Sequence, residues 1–152
     1  MGKSEVRWLL RLLRVTPKKL TKTTSFDERL KVQKAVFLLK YLKVEPFSSY
    51  GFGLYLHGPY SADLAKDYYD LGKVKPETVP VGSAHITLLR WFVSKDDRWL
   101  EVASSILSLR ERYGAATDDE IYSTLRLSKP WVDKQLYESV TTDLVKHRLL
   151  SS

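Results

Sequence analysis

The chain has 152 residues, the length of one domain, and its 43% apolar and 28% charged residues argue against disorder. It holds no cysteine, which excludes disulfides, thiolate metal sites and cysteine nucleophiles and agrees with a reducing, cytoplasmic setting. The net charge of +7 is lopsided: residues 1–44 carry twelve Lys or Arg against Glu5, Asp27 and Glu28, while the remainder carries thirteen against fifteen acids.

The spacing predicts a first helix over residues 4–15, with Val6, Leu9, Leu10 and Leu13 on one stripe and Arg7, Arg11 and Arg14 at i, i+4 and i+7 on another. Pro17 should end it, leaving a polar basic loop with Lys18, Lys19 and Lys22 up to Ser25. A long helix is expected over 26–43, capped by Ser25 and apolar on two sides, and so central to the fold. Pro46 breaks it. Residues 50–57 read as a strand, Gly58-Pro59 as a forced turn with Tyr60 anchoring it in the core, and Ser61 as the cap of a helix through Leu71. Thr78–Val81 reads as a short strand within a loop. Helices follow at 84–94, 97–113 and 117–127, the last opened by the capping box Thr117–Glu120. Ser128-Lys129-Pro130 should open a final helix to His147.

No apolar run approaches the ~20 residues of a spanning helix, so no membrane is expected. The N-terminus lacks the Ser or Thr of a myristoylation signal, and Arg11 and Arg14 interrupt the one stretch resembling a signal-peptide core.

Specific catalytic signatures are missing from the sequence. His57, His85 and His147 are scattered, with no His-Glu-x-x-His spacing, nucleophile elbow or phosphate loop. The best enzymatic candidate is a stripe at i, i+4 and i+7, Asp63, Asp67 and Asp70, which with His57 suits a hard divalent cation. The plainer reading of that stripe is a solvated or ion-paired helix face, including one turned toward Arg7, Arg11 and Arg14. No cofactor is expected.

Two constellations suit macromolecular binding. Arginines at one-turn spacing can follow a phosphate backbone, and Lys18, Lys19, Lys22, Lys31 and Lys34 extend that basic surface. The last two helices have helix-turn-helix spacing, with Leu149-Leu150 as the start of a wing. Ile121, Leu125 and Leu127 should pack there against Trp131, Leu136, Val140 and Leu144. The second helix balances Lys134, Lys146 and Arg148 against Asp133, Glu138 and Asp143 and offers one amide, Gln135, a weak set for reading bases.

Lys31-Val32-Gln33-Lys34-Ala35-Val36-Phe37-Leu38-Leu39, followed by Tyr55-Leu56-His57-Gly58-Pro59-Tyr60-Ser61-Ala62-Asp63-Leu64, resembles the pattern of YwgA-like proteins and, more distantly, the Panacea domain of SocA-like antitoxins. The similarity spans about residues 25–150. It implies a helix, a strand, a Gly-Pro turn and a second helix, with action through protein contacts such as toxin neutralisation. The residues Gln33, Tyr55, His57, Gly58, Pro59, Tyr60 and Ser61 are expected to set conformation rather than to catalyse.

The expectation is a mainly α domain of six to seven helices with one small β element, divided into a basic N-terminal part (1–24), a helix–strand–turn–helix unit (25–82) and a C-terminal helical part (83–152). It should be a non-enzymatic module binding a toxin-like protein or nucleic acid. A winged-helix transcriptional regulator and a metal-dependent hydrolase are the alternatives.

Overall fold

A computed structural model describes residues 2–22 and 26–151. Among them are eight α-helices and one two-stranded sheet, in the order α1 (Lys3–Leu13), α2 (Pro17–Leu20), α3 (Phe26–Tyr41), a 3-10 turn (Phe47–Ser49), β1 (Gly53–Tyr55), β2 (Gly58–Tyr60), α4 (Ala62–Tyr69), α5 (Ser83–Val93), α6 (Asp97–Arg112), α7 (Asp118–Ser128) and α8 (Lys134–Lys146). The mainly α expectation with one small β element holds. The expected Ser25 cap of α3 lies outside the described residues.

The central place of α3 follows from its pattern. Leu30 and the whole run Val32–Leu39 are buried, leaving no polar face in the middle of the helix. It meets α2, α5, α6 and β2. A single apolar cluster runs from Val6 of α1 to Leu149 beyond α8, so one core unites the three segments. The α1 stripe is as expected, with Val6, Leu9 and Leu10 fully buried.

Several local expectations are corrected. The basic loop after Pro17 contains the one-turn helix α2, because Pro is pre-shaped for a first helical position and Leu20 finds the core. Gly58-Pro59 is not the turn. The turn is Leu56-His57, and Gly58 and Pro59 belong to β2, paired with Tyr55 and Leu54. Gly58 is required there twice: its φ is +91°, and a Cβ would lie 3.0 Å from Ser105 Oγ and 3.2 Å from Lys34 Nζ. Tyr60 lies exposed at the surface rather than anchored in the core. Thr78–Val81 forms no strand. The last helix starts at Lys134, capped by Asp133 Oδ1, which accepts from Leu136 N–H at 2.8 Å; Pro130 sits in the preceding turn.

Three helices end in the same way without glycine. Arg14, Lys43 and Arg148 adopt left-handed φ of 58°, 61° and 60°. In each case the next residue (Val15, Val44, Leu149) donates its N–H five residues back and packs on the core. These are Schellman closures whose strained position carries a long cation, so sequence rules that look for glycine pass over them. Lys43→Gly and Arg148→Gly should each stabilise the fold by about 0.5–1 kcal/mol in urea titrations, by relieving the Cβ penalty. A loss of stability in both variants would contradict this account.

Candidate nucleic-acid interface

The arginines of α1 lie on the face opposite its buried stripe: Arg11 and Arg14 are exposed and Arg7 half-buried. Three shallow depressions meet at Arg14. One runs along Arg7, Arg11 and the Thr16–Pro17 turn, the second between Trp8, Arg11 and Arg90, the third between Leu12, Lys31 and Arg90. Together they gather Arg7, Arg11, Arg14, Lys31 and Arg90, and no carboxylate lines any of them. Among the described residues none of these five cations has an ion-pair partner within 4.0 Å; the pairs present are Lys3–Asp70, His57–Glu101, Arg110–Asp118, Lys129–Glu101 and Lys134–Asp119. Lys18, Lys19 and Lys22 are exposed on and after α2, beside this surface in the chain. Arg90 was not legible in advance. It is the one Lys or Arg on α5, and only the packing of the helices brings it to Arg14.

Lys34 does not belong to this surface, contrary to expectation. It is 1% exposed and its Nζ donates to Pro59 O at 2.7 Å. Burial pushes its pKa down to about 7, against an opposing pull from Glu101 and with a further push from Lys129. Lys129, on the turn between α7 and α8, is equally buried. Its Nζ donates to Leu56 O at 2.5 Å and lies 3.6 Å from Glu101 Oε2. Glu101 of α6 also meets His57 Nδ1 at 2.8 Å through its other oxygen. This network ties the hairpin loop to α3, α6 and the α7–α8 turn.

The acidic stripe and His57 are not brought together. His57 turns to Glu101. Asp67 accepts the Tyr50 hydroxyl at 2.5 Å, and burial with this bond pushes the phenol well above its usual range. Asp70 pairs with Lys3 at 2.8 Å, which holds its carboxyl below the usual value. The stripe therefore meets the start of α1 rather than its arginines. No group of three or more metal-ligating side chains occurs among the described residues.

The motif residues hold backbone. The Gln33 amide donates to Ser61 O at 3.0 Å and accepts from Ser61 N–H at 2.9 Å, both buried. Ser61 Oγ accepts from Leu64 N–H at 3.2 Å, capping α4 as the sequence suggests.

In the C-terminal pair, α7 and α8 both pack on α6. Leu127, expected between them, is 85% exposed. Lys134 pairs with Asp119 at 3.1 Å, which neutralises the first cation of the would-be reading helix.

No family model, curated protein or solved structure matches this chain.

Proposed function

We propose that this chain is a non-enzymatic binding module that engages nucleic acid through the surface formed by α1, α5 and α3. The observation that carries the reading is the convergence of five cations from three helices with no carboxylate among them. Side chains kept only for solubility are normally interspersed with both signs. Here each guanidinium is left to an external anion. Arginine suits this role because its planar fork bonds phosphate oxygens in pairs. Along α1 the ridge from Arg7 to Arg14 spans about 10 Å, a length that faces several phosphates of a duplex. The surface contacts backbone rather than base edges, so the reading is of low sequence specificity.

Binding should weaken linearly in log salt. Arg11→Ala and Arg90→Ala should each reduce the slope by about 0.7–0.9 for every phosphate no longer neutralised, with unchanged thermal stability. Lys134→Ala and Gln135→Ala should leave binding intact. The opposite pattern would favour the helix-turn-helix reading. A salt-insensitive complex with an acidic protein, and no oligonucleotide binding, would replace nucleic acid by a protein partner of the antitoxin kind that the family resemblance implies.

A further inference from the structure

Among the described residues, a half-open cavity lined by exposed aromatic rings lies between the start of α3, the hairpin and the end of α4, and has a volume of about 350 Å³. Eight large apolar residues stand well exposed among those described, and five of them line this cavity: Phe26, Tyr55, Leu56, Tyr60 and Tyr69. Such clustering marks a binding site rather than scattered surface apolarity. The rings are set edge to face, Tyr55 to Tyr60 at 5.8 Å and Phe26 to His57 at 4.8 Å, so that each ring keeps at least one face uncovered by its partner.

The polar inventory narrows the ligand. Gln33 is 2% exposed and is held by Ser61 at both ends of its amide, with Tyr68 Oη 3.5 Å from its nitrogen. Arg29 forms part of the wall, and one of its nitrogens donates to Lys22 O at 2.5 Å. No carboxylate lies within salt-bridge distance of Arg29 among the described residues, and no Asp or Glu lines the cavity. Aromatic walls alone would suit a cationic guest. Arg29 in the same wall opposes that and favours a planar ring carrying an anion.

The cavity is also joined to the basic surface by the chain. Thr16 and Pro17 line the depression beside Arg7, Arg11 and Arg14, and a few residues later the Lys22 carbonyl holds Arg29 at the cavity. Lys18, Lys19 and Lys22 stand exposed between the two. A cationic track ending in stacking rings is the arrangement by which single strands are held.

We infer that this cavity is a base-binding pocket, in which one nucleobase stacks among Tyr55, Tyr60 and Tyr69 with its phosphate directed to Arg29. The inference rests on the nucleic-acid reading of the basic surface and adds to it a preference for single strands. A duplex, whose bases are stacked and paired, has no base to insert.

The test is fluorescence anisotropy with a short labelled single strand and with the duplex of the same sequence, together with adenosine monophosphate as the free-nucleotide probe. The single strand should bind more tightly than the duplex. Tyr55→Ala and Tyr69→Ala should weaken single-strand binding by about 5- to 150-fold, leaving duplex affinity and the salt slope unchanged. Both side chains are half exposed or more, so the fold should survive; Tyr55→Leu, which keeps apolar bulk and loses the ring face, is the second variant and should behave like Tyr55→Ala. Strand binding that needs Arg11 but ignores both tyrosines would overturn the pocket and spare the basic surface. Tyrosine-dependent binding of adenosine monophosphate without strand binding would keep the pocket and remove the proposed function. Duplex binding alone would overturn the pocket and spare the basic surface, and if none of the three probes binds, both fall.

Discussion

Replacing Glu101 by Gln, a change that keeps the shape of a side chain only 12% exposed, should cost about 3–5 kcal/mol of folding stability. The reason is the company it keeps. Lys129, 3.6 Å away, is 1% exposed, and Lys34 is buried to the same degree within the carboxylate's field. Removing the only negative charge of this cluster leaves two buried lysines that repel each other. Either they deprotonate or the hairpin opens. Urea titration of Glu101→Gln measures the loss, and the double variant with Lys129→Met should recover a large part of it, since the orphaned cation is then gone. A loss below about 1 kcal/mol would show the pair to be screened like an exposed bridge.

The same cluster sets a pH dependence. Lys34 titrates at about 7 in the fold and near 10.5 when unfolded. Between those values the unfolded chain binds the extra proton, so stability rises with pH across the window. The span is worth on the order of 5 kcal/mol at 1.36 kcal/mol per unit. Above pH 10 the trend reverses. Tyr50 and Tyr68 have pKa values raised mainly by burial, so they ionise first in the unfolded chain. Lys34→Met should remove most of the rise between pH 7 and 10, the remainder coming from Lys129, whose pKa burial also lowers. Its stability curve should cross that of the parent: level or better near pH 7, worse near pH 10, where the parent keeps its bond to Pro59 O without a charge to bury.

The elements that the sequence discloses are those whose signal is local. The α1 stripe, the doubly apolar α3, the Thr117–Glu120 capping box and the Ser61 cap all rest on residues within a turn or two of one another, and the structure forms each of them. What stays hidden depends on distant partners. Lys34 looks like a surface cation by type, yet Pro59 and Glu101 give it a buried role that no spacing encodes. Gly58-Pro59 has the composition of a turn, but pairing with Leu54 and Tyr55 draws both residues into a strand. Arg90 joins the cationic surface only because α5 lies against α3 and brings it to α1's Arg14. The aromatic cavity is assembled from Phe26, Tyr55 and Tyr69, which are far apart in the chain. Each of these follows from tertiary packing overriding a local preference.

Gln33→Leu should destabilise the fold by about 1–3 kcal/mol, despite replacing a buried polar side chain by an apolar one of similar size. Replacing both partners of a buried hydrogen bond by apolar groups can be nearly neutral, but this change removes only one. Here the amide acts as a strand edge, giving one N–H to Ser61 O and taking Ser61 N–H, with Ser61 fully buried. Leucine would leave the Ser61 N–H without a partner or water, at about 1–3 kcal/mol, while Ser61 O keeps the Ala65 N–H at 3.1 Å. The damage should also be directional. Ser61 is the cap of α4, and α4 carries Tyr68 and Tyr69 into the cavity, so loss of the amide should loosen that helix first. Gln33→Glu separates the two bonds: a carboxylate still accepts from Ser61 N–H but repels Ser61 O, and it should cost at least as much as leucine at neutral pH and less in acid, where the protonated form donates again. Hydrogen exchange at Leu64 and Ala65, read beside global stability, checks the order of events. Exchange accelerated only in step with global unfolding would show that Gln33 supports the whole core and not this junction.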